Sequence, residues 1–271
     1  MSSKSKILTI AQVLELGLDK VSVITADMLE GYTSIEEYAF SNCSDLISVT
    51  IPDSVISIKK YAFYECISLK SVIIGNSVTS IGESAFEYCD NLTSVIIGNS
   101  VTSIGDCAFY SCVSLKSVTF GNSVTSIGDY AFRCCKSLRS IEIPSSVTSI
   151  GGLAFTICTN LEFVKIGNKV YKKQTVVDGK CKVYKAFNAN MTCRDFQYEE
   201  GKTYEIDGGI KLCERGFHAC LSLLDAFNYY YGKFGKDVVV YEVELEDVSD
   251  ERNEYESKVV GRKITIGKRI L

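Results

Sequence analysis

Hydrophobic and polar positions follow one pattern that returns every 23 residues along the first two-thirds of the chain. One unit reads GNSVTSIGESAFEYCDNLTSVII and begins at Gly75. Its constant apolar positions are an isoleucine, an Ala-Phe pair, a cysteine and a leucine. The isoleucines of the six copies are Ile35, Ile58, Ile81, Ile104, Ile127 and Ile150. A fixed period of roughly 20 to 50 residues indicates stacked units, because no single unit can bury its apolar face alone.

Within one unit, the pattern predicts two short strands joined by turns and a helical segment. Residues 78–81 are rich in β-branched side chains, which favours a strand. Residues 85–92 space their apolar side chains as in an α- or 3₁₀-helix of about two turns. Residues 94–97 alternate and predict the second strand. The Gly-Asn pair at 98–99 predicts a turn, since both residues tolerate positive φ.

Stacking such units places equivalent residues in ladders about 4.8 Å apart. One ladder consists of cysteines, namely Cys43, Cys66, Cys89, Cys112, Cys135 and Cys158. Zinc-binding pairs lie about two to four residues apart, whereas these cysteines are 23 residues apart. We therefore expect buried thiols that pack as small hydrophobic groups, rather than disulfides or a metal site.

The pattern S-I-G-x-x-A-F-x-x-C-x-x-L-x-x-V-x-I-x-x-S-V-T, over residues 32–170, resembles the BspA-like (Treponema pallidum-type) leucine-rich repeat. The resemblance implies a curved solenoid with a continuous β-sheet on one face. It also implies binding of proteins or surfaces rather than catalysis, and it fixes no single partner. We expect an N-terminal cap at 1–31, six repeats at 32–170 and a C-terminal α+β domain at 171–271, giving an α+β chain.

The second strand of each unit presents outward positions that are candidates for partner binding. They are Ile73, Ile96, Thr119, Glu142, Phe163 and Lys165. Adjacent exposed apolar residues such as Ile73 and Ile96 can mark a contact patch, although a small patch with no role is an equal alternative. Tyrosines near the Ala-Phe pairs are a further candidate, since tyrosine is a favoured interface anchor. The alternative for them is a solvated rim.

Residues 171–271 break the repeat and predict mainly antiparallel strands, at 183–187, 238–245 and 258–266, with a helix at 221–231. The stretch YKAFNANMTCRDFQYEEGKTYE…IKLCERGFHAC…DAFNYY, within 183–266, resembles a domain found in phage and prophage proteins. That resemblance implies a mobile-element origin and supplies no reaction.

His218, the only histidine, is the centre of the chemical alternatives in this domain. A zinc site would draw on Cys181, Cys193, Cys213, His218 and Cys220, but no Cys-x₂₋₄-Cys pair, the spacing typical of zinc ligands, occurs among them. A nucleophilic pair of His218 with Cys220 lacks an orienting group. The strand order is loosely similar to that of ADP-ribosyltransferases, with Lys185, His218 and Glu242 in the catalytic positions. A structural histidine is the simplest interpretation.

Charge and composition narrow the function class. Residues 1–170 carry a net charge of −4 and residues 171–271 a net charge of zero, which argues against nucleic acid as a partner. No apolar run reaches the length of about 18 residues that spans a membrane, and the N-terminus is a poor signal peptide. Twelve cysteines without a local framework indicate a reducing compartment.

These observations predict a cytoplasmic, non-catalytic module that recognises a protein partner through the solenoid face. We expect no cofactor, metal, nucleic acid or membrane in this role. If the gene belongs to a phage or prophage, the partner is a host protein. The alternative is a small ADP-ribosyltransferase-like enzyme domain that the solenoid targets. The oligomeric state stays open.

Overall fold

The structure, a computed structural model, describes residues 6–172, 180–188, 192–193, 196–205, 217–220, 238–246, 248, 258–261 and 263–270. The chain divides into two compact units. The first contains Met1–Leu161 and Lys165–Val170, and the second contains Glu162–Val164 and Tyr171–Leu271.

The first unit is a solenoid of stacked coils with two parallel sheets, which confirms the predicted architecture. The seven-stranded sheet has the order β1-β3-β5-β7-β9-β11-β13. Its strands are β1 (Lys6–Leu8), β3 (Tyr32–Ile35), β5 (Ser57–Ile58), β7 (Ser80–Ile81), β9 (Ser103–Ile104), β11 (Ser126–Ile127) and β13 (Ser149–Ile150). The five-stranded sheet has the order β10-β8-β6-β4-β2. Its strands are β2 (Val23–Ile24), β4 (Ser48–Ile51), β6 (Ser71–Ile74), β8 (Ser94–Ile96) and β10 (Ser117–Thr119).

A third sheet has the order β12-β14-β15. Its strands are β12 (Ser140–Ile143), β14 (Phe163–Ile166) and β15 (Lys169–Lys172). The β1–β3 pair has a register shift between Lys6 and Ile7, whereas the other strand pairs of the two larger sheets align without a slip. Ser71 pairs with Ser94 and Ser94 pairs with Ser117. Residues that are 23 positions apart in the sequence therefore pair with each other in the sheet.

The N-terminal segment occupies one edge of both larger sheets. Strand β1 pairs with β3, and β2 pairs with β4. Helix α1 (Ile10–Glu15) lies between them and begins at a capping box formed by Thr9 and Gln12, a motif that satisfies free amides of the first turn. The helix ends before Gly17, whose φ of 66° suits glycine. Two 3₁₀-helices follow, Leu18–Lys20 and Ala26–Leu29.

The segment that we predicted to be helical is instead a run of turns. Ser84 and Tyr88 have positive φ angles of 52° and 58°. The amides of Ser84, Phe86 and Tyr88 donate to carbonyls of the next coil at 2.8 to 2.9 Å. The amides between them, of Ala85 and Glu87, donate three residues back at 3.3 Å. The helical prediction was wrong because every second amide bonds to a neighbouring coil, which local spacing does not reveal.

Phenylalanine and cysteine ladders fill the core together. Phe40, Phe63, Phe86, Phe109, Phe132 and Phe155 stack face to face, with ring centroids 5.0 to 5.3 Å apart. The cysteine ladder is buried, and its members are thiols that form no disulfide. The thiol of Cys89 donates to the carbonyl oxygen of Phe63 at 3.3 Å, and Cys112 does the same to Phe86 at 3.2 Å. The thiols from Cys66 to Cys158 in the ladder thus each satisfy a buried carbonyl of the neighbouring coil.

At Gly75 and Gly98, glycine is required by close packing and not by positive φ, which corrects our expectation for the Gly-Asn turn at 98–99. The glycines with positive φ in the described residues are Gly17, Gly31, Gly167 and Gly201. A Cβ atom on Gly75 would lie 2.7 Å from the carbonyl oxygen of Ile51. A Cβ on Gly98 would overlap the carbonyl oxygen of Gly75. The coils can therefore approach to sheet distance only because these positions carry no side chain.

The second unit contains an antiparallel sheet with the order β19-β23-β21-β16-β20-β22. Its strands are β16 (Lys180–Asn188), β19 (Thr203–Glu205), β20 (Phe217–Cys220), β21 (Val238–Glu246), β22 (Lys258–Gly261) and β23 (Lys263–Arg269). A separate pair consists of β17 (Thr192–Cys193) and β18 (Phe196–Gln197). The helix predicted at 221–231 lies outside the described residues.

Replacing Gly98 with alanine tests the close-packing argument. The new methyl group would overlap the backbone of the previous coil, so we expect a loss of more than about 3 kcal/mol in the free energy of unfolding. Chemical denaturation followed by circular dichroism measures it. Ser100→Ala, at an exposed position two residues away, is the control and should change stability by less than about 0.5 kcal/mol. Equal stability of the two variants would contradict the argument.

The cysteine ladder should resist alkylation while the solenoid is folded. Burial raises the pKa of Cys43 to about 12 and also raises the pKa of Cys89 and Cys112. Only the thiolate reacts with alkylating reagents. Because the pKa values are raised, these thiols stay protonated at pH 8 and at any lower pH. Iodoacetamide treatment followed by peptide mapping should modify half-buried Cys134 before the ladder. Labelling of Cys89 as fast as Cys134 in folded protein would show that the core opens.

Candidate partner-binding face

Two isoleucines stand side by side on the outer face of the five-stranded sheet. Ile73 pairs with Ile96 across β6 and β8, and their side chains are 43% and 47% exposed. Thr50 precedes them and Thr119 follows them in the same register. The outward orientation predicted from the sequence is correct. Along this ladder of four residues, the two isoleucines lie between two threonines.

A groove of about 630 Å³ runs beside this ladder, along the ends of the strands. Ile73 and Ile96 form one wall, and the buried Gly75 and Gly98 lie at the base. The groove exists because the glycine positions carry no side chain, while the isoleucines two residues earlier do. Ala26 and Glu30 line it as well, and they come from the N-terminal segment.

The other wall of the groove is a ladder of Asp53, Asn76 and Asn99. The side-chain oxygen of Asp53 accepts the amide of Asn76 at 2.5 Å. The oxygen of Asn76 accepts the amide of Asn99 at 3.1 Å. Because each asparagine oxygen is already bonded to the next coil, the exposed Nδ2 group is the atom that can donate to a ligand.

This polar ladder was missed by the sequence analysis, which treated the Gly-Asn pair only as a turn. The signal that could have found it is the recurrence of the pair at the same 23-residue period. A side chain repeated at that period forms a continuous column. The groove combines such a column with an apolar wall.

Three predicted partner-binding residues lie in the three-stranded sheet rather than in the sheet that holds the groove. Lys165 forms an ion pair with exposed Glu142, and such exposed pairs contribute little to stability. Phe163 is 37% exposed, and the ammonium group of Lys172 lies 5.6 Å from its ring centroid. The groove therefore involves Ile73, Ile96 and Thr119 from our predicted set but not these three.

Two residues of the alternative catalytic site, Lys185 and Glu242, are kept apart by the pairing of their strands. Lys185 is 2% exposed and pairs with buried Tyr241, whereas exposed Glu242 pairs with Tyr184. Because successive residues of a strand face opposite sides, Lys185 and Glu242 lie on opposite faces of the sheet. His218 belongs to the neighbouring strand β20. An ADP-ribosyltransferase-like pocket that uses both Lys185 and Glu242 does not match this register.

Lys185 is buried against an aromatic ring instead. Its ammonium group lies 5.7 Å from the ring centroid of Tyr198, which is also buried. Within the described part of the chain, no cluster of three or more histidine, cysteine, aspartate or glutamate residues could hold a metal ion. Among the described helices, none is long and apolar enough to cross a membrane.

Two families match the chain. The BspA type leucine rich repeat region matches in six copies, over residues 19–102 and 79–198. A domain of unknown function, DUF7666, matches residues 181–271, and its description names neither a phage origin nor a reaction. No curated protein matches the chain.

Among solved structures, the chain is similar to the T. pallidum leucine rich repeat protein TpLRR, with 29% identity and a TM-score of 0.44, covering 50% of this chain and 74% of that one. A leucine-rich repeat protein from Bacteroides ovatus is 29% identical, with a TM-score of 0.45 and coverage of 62% and 50%. A leucine rich cell surface protein from Faecalibacterium prausnitzii is 31% identical, with a TM-score of 0.37 and coverage of 56% and 46%.

The chain thus spans about half the length of the Bacteroides and Faecalibacterium proteins. The repeat family covers more than half of this chain, over the coils that stack in register. The chain belongs to the BspA-type leucine-rich repeat family.

Proposed function

We propose that the protein is a non-catalytic interaction module that binds a protein partner in the groove of the five-stranded sheet. Leucine-rich repeat proteins are in general protein-interaction modules, which sets the class. The observation that carries the proposal is the exposed Ile73–Ile96 pair, which lines the groove together with the amide donors Asn76 and Asn99.

The chemistry of the groove suits a protein ligand. Protein interfaces have an apolar centre, where most of the binding energy arises, surrounded by a polar rim. Here Ile73 and Ile96 form the apolar centre, and Asp53, Asn76 and Asn99 form the rim. An apolar partner side chain can contact the isoleucines while its backbone carbonyls accept hydrogen bonds from the asparagines.

The groove is also rigid before the partner arrives. Its walls stand on paired strands, and its asparagines are held by hydrogen bonds between coils. A site that is already ordered loses little conformational entropy on binding. The four coils that line it span about 15 Å, which accommodates roughly four or five residues of extended chain.

The second unit receives no reaction in this proposal, since its family is a domain of unknown function. The phage or prophage origin, the host partner and the cytoplasmic location stay predictions from the sequence. Identifying a captured partner would show whether it is a bacterial host protein, and this would test those predictions.

Replacing both Ile73 and Ile96 with lysine tests the groove. Two ammonium groups in the apolar centre should weaken binding of the partner at least about tenfold. The measurement is a pull-down from a bacterial lysate with the purified full chain, quantified by mass spectrometry and followed by titration of the captured protein.

A matched control is available on the same solenoid. Ile56 and Ile67 are 50% and 47% exposed and do not line the groove, so Ile56→Lys with Ile67→Lys makes the same change in charge and apolar area. The proposal requires a partner that this control retains and the groove variant loses. Retention by both variants, or loss from both, would refute the assignment of the groove.

A further inference from the structure

A second exposed feature lies where the turns of successive coils meet. Tyr64, Tyr88 and Tyr110 pack edge to face across three consecutive coils, with ring centroids 5.8 and 5.5 Å apart. We call these three residues the tyrosine ridge. All three are half-buried, so part of each ring is open to solvent. The ridge belongs to the turn segments and not to the strands that line the groove.

Carboxylates occupy the positions between the rings. Glu87 follows its Ala-Phe pair directly, as Tyr64 and Tyr110 do in the adjoining coils. Because the coils stack in register, Glu87 stands in the column between these two tyrosines. Glu65 holds the position that Tyr88 holds one coil later. The ridge therefore alternates aromatic rings and carboxylates at the spacing of the coils.

The carboxylates near this column are partly buried and close to one another. Burial raises the pKa of Glu87, and Glu83 and Glu65 raise it further, while a hydrogen bond with Ser84 opposes them. Burial and the neighbouring Glu65 also raise the pKa of Tyr64 to about 12. Among the described residues, the ion pairs found are Lys60–Glu83 and Glu142–Lys165, so Glu87 has no cationic partner there.

The chain's own cations already stack on the rings beside the ridge. The guanidinium carbon of Arg133 lies 5.4 Å from the ring centroid of Tyr130 and 6.0 Å from that of Tyr110. At the other end, the ammonium group of Lys60 lies 4.9 Å from the centroid of Tyr61. These distances are typical of cation–π contacts, and they show that rings on this side of the solenoid accept both kinds of cation.

From this geometry we propose that the tyrosine ridge binds an arginine- or lysine-rich segment of a protein. A cationic side chain of the partner lies against Tyr88 and forms an ion pair with Glu87. Its contact with the ring is of the same kind as the contact that Arg133 makes with Tyr110. Ring faces and a half-buried carboxylate together bind a cation more tightly than either alone, because burial reduces the screening by water. The proposal is independent of the groove.

The test is fluorescence anisotropy with a labelled six-residue arginine peptide, compared with a glutamine peptide of equal length, on the full chain. We expect the arginine peptide to bind at least about tenfold tighter. Glu87→Gln and Tyr88→Leu should each weaken its binding about five- to thirtyfold. Tyr88→Phe keeps the ring and should stay within about twofold of the wild type.

Asp45→Asn is the matched control, because it removes one exposed carboxylate elsewhere in the solenoid. It should change the dissociation constant by less than about twofold, as expected for a screened distant charge. If Asp45→Asn weakens binding as much as Glu87→Gln, the peptide responds only to the net charge of −4 and the proposal fails. It also fails if Glu87→Gln binds like the wild type.

A loss of binding in the Glu87→Gln variant cannot be explained by a loss of stability. Glu87→Gln removes a charge that burial disfavours, so its unfolding temperature should equal or exceed that of the wild type. Should Tyr88→Leu prove unstable, Glu87→Gln against Asp45→Asn decides the question alone.

Discussion

The structure depends on hydrogen bonds that join each coil to the next without any slip in register. In the turn segments every second amide donates across coils at about 2.8 to 3.0 Å, and in the sheets equivalent residues pair directly. The phenylalanine stack and the cysteine ladder follow from that register. Close approach in turn requires glycine at positions such as Gly75 and Gly98. A substitution that separates two coils breaks the amide bonds and the core contacts together.

Because of the same register, side chains at equivalent exposed positions of successive coils form continuous columns on the surface. At the Gly-Asn turn it produces a groove with asparagines along one wall. At the turn after the Ala-Phe pair it produces rows in which Tyr64, Glu87 and Tyr110 follow one another. Core positions hold the same residues in nearly every coil, whereas these surface positions differ from coil to coil. The scaffold is therefore uniform, and recognition arises where the surface departs from the repeat.

Sequence reasoning succeeded where a property repeats and failed where it depends on a neighbour. The strands, the buried thiols and the outward isoleucines follow from the period. The turn segments were predicted as helix because Ala85, Phe86 and Cys89 have helical spacing, and only the bonds between coils decide otherwise. The groove was missed because it is space left by absent side chains. Lys185 and Glu242 were grouped because sequence order does not give the register of β16 and β21.

The central claim is that the five-stranded sheet, and not the opposite sheet, contacts the partner. The most direct measurement is site-specific photo-crosslinking, with benzoylphenylalanine at Thr119, which lines the groove, or at Thr102, which directly precedes β9 of the seven-stranded sheet and does not line the groove. Both positions are exposed. The account predicts a crosslinked partner from Thr119 and none from Thr102. Crosslinking from Thr102 alone would contradict it.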